Sequence, residues 1–108
     1  MLKIAVVDDE IVFVESLINK ITAVCEKLNF EFKIDKYSNG FDILENYSKY
    51  HLIFLDIEIG KNDGIEVADR IRRIPDHDVT IMFVTNYPEY MQQSFDAVSY
   101  THLTLPTN

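Results

Sequence analysis

Two kinds of apolar segment alternate along the chain, and this alternation limits the possible folds. Four runs rich in branched residues are typical of β-strands: LKIAVV from Leu2, FEFKIDKY from Phe30, HLIFLD from His51 and VTIMFVT from Val79. Apolar residues at three- and four-residue intervals predict helices over residues 10–28, 41–47, 64–73 and 87–95. Because strands that alternate with helices pair in parallel through right-handed crossovers, the sequence predicts a doubly wound α/β sheet.

The four strand patterns differ in a way that predicts their positions in the sheet. The first, third and fourth runs are almost continuously apolar, which is typical of strands covered on both faces. The second run alternates, with Phe32 and Ile34 opposed to Lys33 and Asp35, so we expect it at an edge. The pattern alone leaves the strand order open.

Length and charge limit the classes of function. The 108 residues, 47% of them hydrophobic, are enough for one packed core, so we predict one domain. The formal net charge is −8, and a surface of that sign repels the phosphate backbone of nucleic acid. We therefore expect this segment not to bind DNA by itself.

The single cysteine and the N-terminal residues predict the compartment. Cys25 excludes a disulfide within the chain, and its place in ITAVCEKL predicts a small buried hydrophobic side chain. The segment MLKIAVVDDE has too few consecutive apolar residues for a signal peptide, and no apolar run in the chain approaches membrane-spanning length. The sequence therefore predicts a cytoplasmic protein without a membrane anchor.

Acidic residues end two of the predicted strands. Asp8 and Asp9 follow the first run and Asp56 ends the third, and ligands of doubly wound sheets bind beyond the carboxyl ends of the strands. If these two strands are neighbours, the three carboxylates converge. The alternative for Asp8 or Asp9 is to cap the helix that begins near Glu10, whereas Asp56 has no adjacent helix start.

Converging carboxylates require a partner of opposite charge. Two unit charges ~4 Å apart repel by about 4 kcal/mol at an effective dielectric constant of roughly 20. Raised pKa values would relieve this repulsion, but a hard divalent cation relieves it while every oxygen stays ionised. Oxygen ligands of this kind favour magnesium or manganese.

A cation beside a nucleophilic carboxylate makes a site for phosphoryl transfer, in which Asp56 attacks phosphorus to give an acyl phosphate. Thr85 ends the fourth run in MFVTN, where its hydroxyl could donate a hydrogen bond to a phosphoryl oxygen. The alternative is that Thr85 is a β-branched residue that merely finishes a strand.

Three separated motifs, VVDDE, FLDIEIGKNDGIEVADRIR and FVTNYPEY, resemble the receiver domain of bacterial two-component response regulators in order and spacing. The resemblance covers the chain from Leu2 to about Ala97. It implies a flavodoxin-like fold with a parallel sheet of strand order 2-1-3-4-5. It also implies a signalling domain whose own chemistry is limited to phosphorylation and slow dephosphorylation of one aspartate.

The resemblance assigns a role to each matching residue. Asp56 matches the phosphoacceptor, Asp9 the direct Mg²⁺ ligand and Asp8 the acid that reaches the metal largely through water. Glu58 matches the position whose backbone carbonyl completes the metal shell, and Thr85 matches the switch hydroxyl.

The segments LDIEIGKNDGIEVADRIR and TNYPEYMQQSF are most similar to regulators of the LytR/AgrA type, whose receivers usually precede a LytTR DNA-binding domain. This similarity implies a parent transcription regulator that is phosphorylated by a histidine kinase and forms a homodimer on phosphorylation. DNA binding would belong to a C-terminal domain outside these 108 residues.

Several positions depart from the family pattern. Gly60 stands where the family usually has proline, and this loosens the loop after Asp56 without removing a ligand. Leu105 occupies the position of the family's phosphate-binding lysine, and His102 occupies the switch-aromatic position. The last helix of the family fold is missing from these residues.

The tail, residues 98–108, changes in composition to VSYTHLTLPTN, which is rich in threonine and free of acids. It resembles a recurrent translation of sequencing-adapter DNA, so we expect the receiver domain to comprise residues 1–97 and the authentic sequence to end near Ala97 or Val98. The alternative is a divergent receiver that has lost its lysine. In either case its β-forming residues permit the tail to pair as a fifth strand.

Two other functions compete with phosphorylation-dependent signalling. Phosphatases of the haloacid dehalogenase type also carry a nucleophilic aspartate after a strand, but on the first strand, whereas Asp56 follows the third. A docking domain that no longer uses phosphate is the second alternative. Leu105 favours that alternative, while Asp8, Asp9, Asp56 and Thr85 oppose it.

Overall fold

A computed structural model describes residues 1–59, 62–74, 78–85 and 101–104 of the chain. Its elements are β1 (Leu2–Val7), α1 (Ile11–Lys27), β2 (Phe32–Tyr37), α2 (Gly40–Asn46), a 3₁₀ turn (Tyr47–Lys49), β3 (Leu52–Asp56), β4 (Glu58–Ile59), β5 (Asn62–Asp63), α3 (Gly64–Arg72), β6 (Thr80–Thr85) and β7 (Thr101–Thr104). The helix predicted over residues 87–95 lies outside the described residues, as do Gly60 and Leu105. Within the described ranges, every helix is too short or too polar to span a bilayer.

Parallel strands form the main sheet in the order β2-β1-β3-β6-β7. Counted within this sheet, the order is 2-1-3-4-5, so the predicted doubly wound, flavodoxin-like architecture is confirmed. β2 lies at one edge, as its alternating sequence indicated. β7 lies at the other edge and consists of residues from the tail, with His102 paired to Phe83 and Thr104 paired to Thr85.

The sheet separates two clusters of buried side chains. Successive strand residues point to opposite faces, so Ile4 and Val6 pack towards α1 while Ala5 and Val7 pack towards α2 and α3. This burial on both faces explains the almost continuous apolar runs in β1, β3 and β6. Cys25 belongs to the cluster under α1 and is 4% exposed, which agrees with its predicted role as a buried hydrophobic residue.

The end of α1 explains why β2 begins at Phe32 and not at Phe30. Asn29 adopts a left-handed conformation with φ of 59°, and the amide of Phe30 donates a 2.9 Å hydrogen bond to the carbonyl of Cys25. This pairing, together with a left-handed residue just after the helix, is the Schellman arrangement that satisfies the last helical carbonyls. Phe30 therefore completes the helix end, although its side chain is of a type that favours strands.

A hydrogen-bonded cluster of Asp35, Tyr37 and Tyr50 joins β2 to the residue before β3. The Tyr50 hydroxyl donates to Asp35 Oδ2 at 2.8 Å, and because this uses its single proton, the Tyr37 hydroxyl donates to the Tyr50 oxygen at 2.5 Å. The two rings meet edge to face, with centroids 5.8 Å apart. Burial, followed by the hydrogen bonds to Tyr37 and Asp35, raises the pKa of Tyr50 well above its ordinary value.

Candidate functional site

Three carboxylates lie together where β1 and β3 end. These strands are parallel neighbours, and the pairing of Val7 with Leu55 brings the next residues, Asp8 and Asp56, side by side. Asp9 follows on the same edge, and ligand oxygens of the three carboxylates all lie within 4.8 Å of one another. Asp9 is exposed, whereas Asp8 and Asp56 are half-buried. Among the described residues, this group is the candidate for holding a metal ion.

The Asp8 carboxylate is fixed by the backbone at the start of α1. Its Oδ1 accepts a 2.9 Å hydrogen bond from the amide of Glu10, and Glu10 itself occupies the N-cap position of the helix. This is the local turn interaction between an aspartate and the residue two positions later. Asp8 therefore helps to form the turn that leads into α1, but the N-cap residue is Glu10. The alternative that Asp8 or Asp9 caps this helix is wrong.

Burial and neighbouring negative charges both disfavour the ionised form of Asp8. Burial raises the pKa of the Asp8 carboxyl above its usual value of 3.8, and the charges of Asp9 and Glu10 add to this rise. The hydrogen bonds from the amides of Glu10 and Asp9 act in the opposite direction. A divalent cation with a preference for oxygen ligands would neutralise this cluster, so the donor set fits Mg²⁺.

The other residues assigned by sequence occupy strands next to this cluster. Glu58 begins β4, two residues after Asp56. Thr85 is the last residue of β6, and it follows Val84, the partner of Asp56 in the sheet. His102 lies within β7, opposite Phe83. Leu105 lies outside the described residues, so its assignment stays a prediction, as do the roles given to Glu58, Thr85 and His102.

Gly64 packs against the backbone of Asp56, a contact that the sequence motifs did not predict. This glycine is the first residue of α3 and is buried, and its amide donates a 2.6 Å hydrogen bond to the carbonyl of Ile57. The dipeptide Asp63-Gly64, placed just before a helical pattern, was the local signal of a tight turn at this point. That pattern predicts a turn, but it does not indicate which residues the glycine contacts.

Comparison with known proteins identifies the family. The family model of the response regulator receiver domain matches residues 4–107 of the chain. A sensory transduction protein LytT from Oceanobacillus iheyensis is 39% identical over 63% of this chain and 29% of its own length. A sensory transduction protein LytR from Staphylococcus saprophyticus is 31% identical over 76% of this chain and 34% of its own length. The chain thus spans about a third of the length of these curated relatives.

A solved structure agrees with this identification. The response regulator TrrA from Thermotoga maritima, in complex with Mg²⁺ and BeF, superposes with a TM-score of 0.80 and 31% identity, and the match covers 100% of this chain and 90% of that one. The resemblance read from the three sequence motifs is therefore confirmed, and this chain belongs to the response regulator receiver domain family.

Proposed function

We propose that this domain accepts a phosphoryl group from a histidine kinase on Asp56. The single observation that supports this most strongly is the cluster of Asp8, Asp9 and Asp56, with oxygens within 4.8 Å of one another at the carboxyl edge of the sheet. Asp56 combines two properties that a phosphoacceptor needs. Its backbone ends a buried central strand, and its side chain is half-buried, so the carboxylate is held in place and still reaches solvent.

The proposed metal ligands are the carboxylates of Asp9 and Asp56 and the backbone carbonyl of Glu58, with Asp8 acting largely through water. Bound Mg²⁺ would offset the negative charge of the transferred phosphoryl group. The hydrogen bond from the Glu10 amide to Oδ1 fixes the direction of the Asp8 carboxylate at the edge where Asp9 and Asp56 lie.

The proposed reaction is a nucleophilic displacement at phosphorus. A carboxylate oxygen of Asp56 forms a bond to phosphorus while the bond from phosphorus to the donor's leaving group breaks, and the electron pair departs with that group. The product is an acyl phosphate on Asp56. We propose that the Thr85 hydroxyl donates a hydrogen bond to a phosphoryl oxygen, because Thr85 ends the strand that pairs with β3 next to Asp56.

The proposed parent protein is a LytTR-type transcription regulator. The support is that relatives three times as long are named LytT and LytR, and that the sequence resembles the LytR/AgrA type in two segments. DNA binding would belong to a C-terminal domain and not to this acidic receiver. We further propose a cytoplasmic location, slow self-dephosphorylation at Asp56 and homodimer formation on phosphorylation.

Labelling with acetyl phosphate tests the assignment of Asp56. In the presence of Mg²⁺ the protein should gain an acid-stable, base-labile acyl phosphate, with acetate as the leaving group. Intact-mass analysis should show the added phosphoryl group in the wild type and in Asp78→Asn, a control at an exposed aspartate. The label should be absent from Asp56→Asn, and equal labelling of that variant would show that the phosphoacceptor has been misidentified.

A second candidate function is phosphate-independent docking. The feature that favours it is Leu105, which the resemblance to the family places at the position of a phosphate-binding lysine. Complete failure of Mg²⁺-dependent labelling would favour docking over phosphorylation. The haloacid dehalogenase alternative has no such support, since receiver domains form a signalling family and not an enzyme family.

A further inference from the structure

Gly64 packs directly against the backbone of Asp56. A Cβ atom built at position 64 would lie 2.0 Å from the carbonyl oxygen of Asp56 and 2.9 Å from its carbonyl carbon. It would also lie 2.9 Å from the Cα of Ile57. Carbon atoms in ordinary contact are separated by roughly 3.5 to 4.0 Å, so no side chain fits here without movement of the backbone. Glycine is therefore required by the close approach of two backbone segments.

The same glycine closes the base of the hairpin after Asp56. β4 and β5 pair antiparallel, with Glu58 opposite Asp63 and Ile59 opposite Asn62. Below these pairs, the Gly64 amide donates its 2.6 Å hydrogen bond to the Ile57 carbonyl. The residue after the phosphoacceptor is thus tied to the first residue of α3, and Glu58 follows it at the beginning of the hairpin.

The two backbone segments differ in how far they can move. Asp56 is the last residue of β3, which is paired with β1 on one side and β6 on the other. A Cβ at position 64 must therefore either push the start of α3 away or rotate the peptide between Asp56 and Ile57. The first movement breaks the hydrogen bond at the base of the hairpin. The second reorients the peptide that leads from Asp56 towards Glu58, whose backbone carbonyl is a proposed metal ligand.

We propose that Gly64 is a positioning residue for phosphorylation, which acts by holding the Asp56–Ile57 peptide and the base of the hairpin in the reactive arrangement. This inference rests on the proposed phosphorylation of Asp56. A displacement of about 1 Å at a reacting group can reduce a rate by roughly 100-fold. Gly64→Ala should therefore slow labelling even when the protein remains folded and saturated with Mg²⁺.

The test compares Gly64→Ala with a control in the same helix. Ala68→Gly removes a fully buried Cβ one turn further along α3 and weakens the helix without adding an atom near Asp56. Labelling by acetyl phosphate is measured at saturating Mg²⁺, well below the melting temperatures of both variants. We expect at least a roughly tenfold lower rate constant for Gly64→Ala and a rate within about twofold of wild type for Ala68→Gly.

The outcomes separate this inference from the proposed function. An unlabelled wild-type protein would contradict the proposed function itself. A labelled wild type with a wild-type rate in Gly64→Ala would overturn the positioning role alone. Equal slowing of both variants would also overturn it, because general loosening of α3 would then explain the effect.

A second measurement covers the case in which Gly64→Ala does not fold. The chain contains three glycines, so wild-type protein labelled with ¹⁵N-glycine gives a simple amide spectrum. On phosphorylation the Gly64 amide should change its chemical shift and exchange with solvent more slowly than before, while Gly40 in α2 serves as the internal reference. A Gly64 amide that keeps both its shift and its exchange rate in fully phosphorylated protein would contradict the role.

Discussion

The Tyr50 hydroxyl and the Asp35 carboxylate form a 2.8 Å hydrogen bond that joins the edge strand β2 to the residue preceding β3. β1 lies between these two strands, so the contact reaches across it on the side covered by α2 and α3. Tyr50 is 6% exposed and Asp35 is half-buried, so removal of the donor leaves an acceptor that is only partly compensated by water.

Tyr50→Phe should therefore destabilise the fold. Hydrogen bonds to charged groups contribute about 1.5 to 3 kcal/mol, and we expect a loss in this range from urea unfolding. Tyr37→Phe is the matched control, because it removes only the donor to the Tyr50 oxygen, a neutral hydrogen bond of roughly 0.5 to 1.5 kcal/mol. A smaller loss for Tyr50→Phe than for Tyr37→Phe would contradict this description of the cluster.

The raised pKa of Asp8 predicts how stability depends on pH when divalent cations are chelated. The folded state favours the protonated form of Asp8. The stability that this protonated form contributes is fully present below 3.8, the pKa of Asp8 in the unfolded chain, and is lost as the pH rises through the pKa of Asp8 in the folded protein. At neutral pH the ionised Asp8 therefore destabilises the fold.

Asp8→Asn should remove this penalty. In chelator, its free energy of unfolding should exceed that of the wild type at pH 7, and the difference should shrink as the pH falls through the folded pKa of Asp8 and vanish below the unfolded value of 3.8. Chemical unfolding at a series of pH values measures the difference. A gap that is constant between pH 3 and pH 7 would show that Asp8 carries no such penalty.

Mg²⁺ should stabilise the wild type by binding the folded state. At a free concentration of about 100 times Kd, a ligand that binds only the folded state adds about 2.7 kcal/mol. Thermal unfolding with MgCl₂, against KCl at equal ionic strength, should show a rise in Tm that Asp9→Ala abolishes. In an NMR titration the shifts should centre on Asp8, Asp9 and Asp56, and shifts that persist in Asp9→Ala would contradict the ligand assignment.

The tail predicts weak coupling between phosphorylation and conformational change. A phosphorylated Asp56 carries roughly −1.5 to −2 charges, and leucine at position 105 offers neither a hydrogen bond nor a compensating charge. With Leu105 at the predicted position of the family's lysine, we expect the loss of a charge-assisted hydrogen bond of about 1.5 to 3 kcal/mol. We expect the 108-residue chain to accept phosphate, but we expect its self-association to change little on phosphorylation.

The repair experiment replaces residues from Val98 onward with a family-like strand carrying lysine at position 105 and a final helix. Analytical ultracentrifugation, with and without beryllofluoride, should show a larger increase in dimer for the repaired protein than for the original chain. If both proteins respond equally, the tail is functional and its resemblance to adapter-derived sequence is misleading.

Hydrophobic patterning predicted the parts of the fold that depend on period and burial. β1, β3 and β6 begin within about two residues of their apolar runs, and the sheet has the order expected of the family. The meeting of Asp8 with Asp56 follows from strand adjacency, because parallel neighbours end on the same edge. Strand positions and strand adjacency depend on burial and backbone pairing that repeat along many residues.

The features that the sequence did not predict depend on single contacts. The hairpin of β4 and β5 has strands of two residues, too short for any alternation to be visible. The contact between Gly64 and Asp56 and the hydrogen bond between Tyr50 and Asp35 join distant positions whose residue types suit many other environments. The start of β2 was predicted at Phe30 but lies at Phe32, because the left-handed conformation of Asn29 places Phe30 in the hydrogen-bonded end of α1.

The position of β3 has a consequence for the timescales on which the molecule opens. This strand is paired on both sides and buried on both faces, and segments of that kind exchange their amide hydrogens only when most of the domain unfolds. Asp56 is therefore attached to the slowest-exchanging backbone, whereas β2 and β7, paired on one side each, can fray in shorter-lived openings. The carboxylates at the ends of β1 and β3 therefore keep their relative positions during these local openings.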